Sequence, residues 1–204
     1  MEQETQPSQE EKIMEPSTSR RSLLKGLAVG AGTIGASGIV AALASTTAHA
    51  DGGGGKTGYQ FINTSDGKGG LSGKSIFMNG VGKFGGGITG GGNYVITDTA
   101  TFSQVFDFGS WKAKKFVSFT NVGTIVAGYL GATLTMDVIL ESEKGGEAKA
   151  TATVNCDMGA VSPNGGNGSG DVVTLVIESG TFAGPFGPGP FGLFNVTIFI
   201  APKD

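Results

Sequence analysis

Alternation of apolar and polar residues is the clearest signal in this chain, and it is strongest after residue 130. Ala132, Leu134, Met136, Val138 and Leu140 share one parity, while Thr133, Thr135, Asp137 and Glu141 share the other. Successive side chains of a strand point to opposite faces, so this run predicts a half-buried strand with one wet face. Ala148, Ala150, Ala152, Val154 and Cys156 repeat the pattern against Lys149, Thr151, Thr153, Asn155 and Asp157. A Glu/Lys/Gly turn at 143–147 separates the two runs and predicts an antiparallel pair. After a loop at 159–170, Val172–Glu178 reads as a strand. Leu193–Ile200 reads as the last one, with Phe194, Val196, Ile198 and Ile200 on one face.

Upstream the pattern is more broken. Tyr59–Asn63 predicts a short first strand, Thr64–Ser72 a turn around Asp66-Gly67, and Lys74–Phe84 a second strand. Gly85–Gly87 and Gly90–Gly92 bracket a tight connection into a strand at Asn93–Asp98. Phe102–Thr120 is the aromatic heart: Phe102, Phe106 and Phe108 fall on even positions, Trp111 and Ala113 on odd ones. The parity change at Gly109-Ser110 predicts a bulge or bend. Lys112 and Lys114 then face water, and the adjacent Lys115 implies a second irregularity before Phe116. The sum is an all-β chain of about 8–10 strands, an antiparallel β-barrel or barrel-like sandwich.

The first 50 residues have a different character. A polar, acidic leader ends at Ser19, and Ser19-Arg20-Arg21-Ser22-Leu23-Leu24-Lys25 opens a weakly apolar stretch to Ala44 diluted by five glycines. Ala48-His49-Ala50 closes it with a small-x-small site. This arrangement resembles the twin-arginine export signal, with Arg20, Arg21, Leu23, Leu24 and Lys25 as its motif and Ala48 and Ala50 flanking the cut. A membrane-spanning helix is the plainer reading of an apolar run of about 20 residues. The glycines and the site that follows favour a cleaved signal.

The resemblance implies a signal peptide over 1–50, a flexible glycine-rich leader over 51–58 and a single all-β domain over 59–204. It also implies the twin-arginine translocase and signal peptidase as partners. The destination is then the periplasm, the cell surface or the exterior. Membrane contact is confined to export unless the signal is kept as an anchor.

Composition excludes more chemistry than it suggests. The only histidine is His49, and the only arginines are Arg20 and Arg21, so the exported part has neither type. A Ser-His or Cys-His nucleophile, a His-ligated metal and a bidentate arginine clamp are all out of reach. Cys156 is the single cysteine, on the apolar parity of its strand, so no intrachain disulfide forms and a core role is expected. Ten lysines against twelve acidic residues after Ala50 give a net charge of −2, no field for nucleic acid. Of 38 glycines, 33 lie after residue 50, without the triplet period of collagen. They punctuate β-branched and aromatic runs, which points to turns rather than disorder.

Several motifs match in spelling only. Ala50-Asp51-Gly52-Gly53-Gly54-Gly55-Lys56-Thr57 approaches a phosphate loop, but no strand precedes it and no helix follows. Gly80, Gly82 and Gly85 have dinucleotide-fingerprint spacing without a βαβ unit around them. Gly165-Gly166-Asn167-Gly168-Ser169-Gly170-Asp171 approaches a calcium-binding repeat in one copy, where stacked copies are needed. The carboxylates Asp98, Asp107, Asp137, Glu141, Asp157, Asp171 and Glu178 read mainly as solvated surface. A pair of them could serve a glycosidase. No catalytic residue, cofactor or metal ligand is assigned.

Gly109-Ser110-Trp111 resembles the Gly-x-Trp of lipocalins and avidin-type barrels, which implies a ligand barrel; a core tryptophan is the plainer reading. Residues 80–200, through Gly109-Ser110-Trp111-Lys112-Ala113-Lys114 and the late Val154-Asn155-Cys156, resemble a group of secreted β-rich proteins, a likeness that carries no activity. Gly-Pro-Phe-Gly occurs twice between Gly184 and Gly192, which predicts a stiffened loop bearing Phe186 and Phe191. Trp111, Phe186 and Phe191 are therefore the candidate contacts for a ligand or a surface partner. The expectation is an exported, non-enzymatic β protein that binds an apolar small molecule or acts at the cell surface. The alternative is a histidine-free β-barrel enzyme, isomerase- or cyclase-like or a carboxylate-based glycosidase, using a buried Asp or Glu.

Overall fold

The computed structural model describes residues 56–126, 128–156, 170–189 and 195–202. The export motif, its cleavage site, Phe191 and the 165–169 glycine loop lie outside these residues. The elements are β1 (Thr57–Gly67), a 3-10 turn (Gly69–Leu71), β2 (Lys74–Phe84), β3 (Ile88–Asp98), β4 (Val105–Val126), β5 (Tyr129–Ser142), β6 (Glu147–Cys156), β7 (Val172–Ile177), β8 (Gly184–Pro188) and β9 (Val196–Ile200). The described residues are all-β, and the nine strands among them are antiparallel to their neighbours and close into a barrel-like ring.

Strands β1 to β8 follow one another around the ring, and β8 returns to β1 through Gly67↔Phe186 and Ser65↔Pro188. Strand β9 lies along the other half of β1, Ile62↔Val196 to Gly58↔Ile200, and reaches β5 at Leu130↔Phe199. Strands β8 and β9 thus behave as one interrupted partner of β1. The gap falls at Asn63 and Thr64, where the Thr64 amide donates to Asn195 Oδ1 at 2.9 Å.

The ring is filled. Tyr59 and Phe61 from β1, Ile76 and Met78 from β2, and Leu134 and Met136 from β5 are all buried within it. Cys156 is buried in the same core. Trp111 stacks on Phe61 at 5.7 Å, and its indole N–H donates to Asn79 O at 2.8 Å. Glycine makes room for these rings: a Cβ on Gly80 would stand 2.1 Å from Trp111, and one on Gly90 2.1 Å from the Tyr59 hydroxyl. The second glycine cluster is therefore strand, and β3 begins at Ile88 rather than at Asn93. Strand β1 likewise runs on to Gly67, because Asp66 pairs with Ser75 and holds its hydroxyl at 2.6 Å.

Two other expectations are corrected. Register is continuous through Gly109-Ser110, where Asp107, Gly109, Trp111 and Ala113 share the parity that pairs with Leu140 and Val138 of the core. The bulge lies earlier: Thr97 faces Val105 and Ile96 faces Asp107, leaving Phe106 as the extra residue. Phe102 belongs to the preceding turn, with φ of 54°, and packs on Phe77. The irregularity at Lys115 is present, as a register shift between Ala113 and Lys115. The stretch from Gly184 to Pro188, expected as loop, is strand β8, and Phe186 points from it into the core.

The turn between β3 and β4 is organised by one carboxylate. Asp98 accepts the amides of Thr101, Ser103 and Gln104 at 2.7, 2.9 and 2.8 Å and the Thr101 hydroxyl at 2.8 Å. The amides of Gln104 and Thr101 chiefly lower its pKa from 3.8 to about 2. A carboxylate depressed in the folded state stabilises the fold above its unfolded pKa, and that stability is lost as pH falls through about 2. Asp98→Ala should cost about 1–2 kcal/mol at pH 7, below the about 1.5–3 kcal/mol of hydrogen bonds to a charged group because these bonds are open to water. Urea titrations at pH 7 and pH 2 check this: the wild-type advantage should shrink at the lower pH.

Candidate functional site

One end of the ring is not filled. Where β3 ends, β4 begins and the β5–β6 and β7–β8 turns meet, a cavity of about 390 Å³ opens above the core. Its floor is Ile96, Leu140 and Ile177, and Phe106, Ala148 and Phe182 give it apolar walls. The β5–β6 turn forms its lip, with Gly145 and Gly146 at φ near +100° as such a turn requires.

A polar corner sits against these walls. Tyr94 of β3 and Ser142 of β5 both stand opposite Gly109 of β4. Glycine is needed there, because a Cβ would meet the Glu141 carbonyl at 2.0 Å. Asp107, two residues earlier on the same strand, is the diagonal neighbour of both, a distance that longer side chains cross. The Tyr94 hydroxyl donates to Asp107 Oδ2 at 2.9 Å, and the Ser142 hydroxyl to Asp107 Oδ1 at 2.6 Å. Burial first, and then the Asp107 charge, raise the Tyr94 pKa well above its usual value, so the phenol keeps its proton. The Lys144 amide donates to the Ser142 oxygen at 3.1 Å, and the Lys144 ammonium reaches the Phe106 carbonyl at 2.5 Å. Lys74 stands over the Phe106 ring at 5.4 Å.

Placement of the sequence candidates is mixed. Trp111 and Phe186 are fully buried core residues and do not line this cavity, while Phe191 lies outside the described residues. Sequence reasoning assigned Asp107 to surface; it faces the interior end of the ring. Its signal was the unbroken odd parity with Trp111, masked by the bulged Phe106. A second buried polar group joins β1, β9 and Asp171, whose carboxylate accepts the Thr197 amide at 2.9 Å. There Asn63 Nδ2, Thr197 Oγ1 and Asp171 Oδ1 have no hydrogen-bond partner among the described residues. Among the described residues no three His, Cys, Asp or Glu side chains converge as a metal site.

Comparison of the chain with protein families, with curated proteins and with solved structures finds no match.

Proposed function

We propose that this is an exported binding protein that takes an apolar small molecule in the cavity at the open end of the ring. The observation that carries this reading is a pocket of about 390 Å³ at one end of the ring, walled by Phe106, Phe182 and Ala148 over a floor that includes Ile177. Such a volume lies in the range of small-molecule sites, about 300–1,000 Å³, which pair apolar walls with a few polar groups. Protein purified from its own host should carry a small molecule in native mass spectrometry. Recovery of the bare polypeptide alone, together with failure to take up any apolar probe, would count against the reading.

Asp107 gives a second reading a foothold, because a carboxylate in an apolar cavity is what a histidine-free enzyme would use. A host-derived molecule recovered unchanged after prolonged incubation favours binding; its conversion, lost in Asp107→Asn, favours the enzyme.

The export half of the proposal rests on Arg20 and Arg21 ahead of the weakly apolar stretch. Changing both to lysine keeps the charge and should leave precursor in the cytoplasm, while exported wild-type protein should begin at Asp51. Unchanged export of the double variant refutes the twin-arginine route.

A further inference from the structure

The cavity's polar corner can only accept hydrogen bonds, and that restricts what fills it. A carboxylate has no proton to give, so the contacts of Asp107 with Tyr94 and Ser142 use the hydroxyl protons of both partners. What remains at the corner is lone pairs: one or more on each Asp107 oxygen and on the Tyr94 oxygen. The Ser142 oxygen already receives the Lys144 amide. An acceptor placed there would meet only other acceptors, and a buried polar group left unpaired costs free energy. Charge acts in the same direction, since the corner carries the Asp107 carboxylate and the chain after Ala50 has no arginine or histidine to offset it. Among the described residues Lys144 is the one cation lining the cavity; it sits exposed at the lip, held by the Phe106 carbonyl, with Glu147 beside it. The Ser179 and Thr181 hydroxyls line the cavity from the β7–β8 turn, on other elements than the Asp107 corner.

We infer that the ligand is an apolar molecule bearing a hydrogen-bond donor, an amine or a hydroxyl, which docks that group on Asp107 and buries its hydrocarbon against Phe106, Phe182 and Ile177. An apolar carboxylate, the complement of an arginine-lined pocket, is discriminated against. This inference rests on the binding reading above, and the test is built to separate the two.

Three probes with one skeleton suffice: 4-phenylbutylamine, 4-phenylbutan-1-ol and 4-phenylbutyrate, titrated calorimetrically into the exported chain at pH 7. The amine and the alcohol should bind, and the carboxylate should bind at least tenfold more weakly than the amine. Asp107→Asn puts an amide N–H₂ at the corner and should cut the amine's advantage over the carboxylate at least tenfold. Should that variant fail to fold, Tyr94→Phe serves instead: it removes one hydroxyl that donates to Asp107 and frees a lone pair there without freeing a donor. It should widen the preference for the amine, whereas a narrowed preference counts against the inference. Binding of the carboxylate as tight as the amine overturns the inference and leaves the cavity as an apolar site without donor selection. Failure of all three probes, with only bare polypeptide recovered from the host, overturns the binding reading itself.

Discussion

Alanine at Gly80 should lower the free energy of unfolding by about 2–3 kcal/mol, near the upper end for one added methyl group in a packed core. The added carbon would lie 2.1 Å from Trp111 Cζ2 and 3.0 Å from the Phe61 ring. Neither ring can swing away cheaply. The indole is tied to the Asn79 carbonyl and stacked on Phe61, so relief means breaking one contact or the other. Trp111→Leu alone should cost about 3 kcal/mol through the space it leaves. The two changes together should cost at least about 1 kcal/mol less than their sum, because the methyl group enters that space.

Gly92→Ala is the control. Its added carbon would meet the Asn79 backbone oxygen at 1.9 Å, which a smaller residue at 111 does not move. Denaturant titrations of the single and double variants decide the matter. Strict additivity of Gly80→Ala with Trp111→Leu would mean that the glycines are not there to seat the tryptophan.

That glycine–tryptophan contact also explains where the sequence was legible. Local alternation located β5 and β6 and the turn between them, and β2 has the predicted limits of Lys74–Phe84. Those segments carry their own burial pattern, because each apolar residue fills its own share of the core. Gly90, Gly91 and Gly92 read as turn for the opposite reason. The space at Gly90 is taken by the Tyr59 hydroxyl, and Gly91 and Gly92 press on the backbone of neighbouring strands at Trp111 and Asn79, so no local window contains both sides of these contacts. Strand β8 was hidden similarly: Pro185 and Pro188 suggest a stiff loop, yet the segment pairs with β7 and with the end of β1. The β1 extension was missed because Thr64, Ser65 and Asp66 are polar, although all three are buried. Asp107 was missed because a single bulged residue shifts the parity of its neighbours, and nothing at Phe106 announces a bulge. The cavity has no local signature, since its lining comes from β3 to β7 and the turn after β7.

Phe186 and Phe182 sit four residues apart and should behave in opposite ways. Phe186 is fully buried, standing opposite Leu175 of β7 and Gly67 of β1, so Phe186→Ser removes a ring from the core and leaves a hydroxyl there. The expected loss is about 3–5 kcal/mol, the range for truncating a buried aromatic. A domain of this size holds only about 5–15 kcal/mol in total, so the variant should be marginal at 37 °C. Phe182 is half-buried and lines the cavity from the β7–β8 turn. Phe182→Ser should cost only about 1 kcal/mol, the ordinary scale for a point change, because its ring supports the core from one side. It should nevertheless weaken binding of the phenylbutylamine probe at least tenfold, since it removes an apolar wall. Urea unfolding followed by the fluorescence of the single tryptophan measures the first effect, and calorimetric titration measures the second. If Phe186→Ser unfolds with a midpoint near wild type and loses the probe instead, then Phe186, not Phe182, marks the binding surface, and the site belongs at the β8 stretch rather than at the open end of the ring.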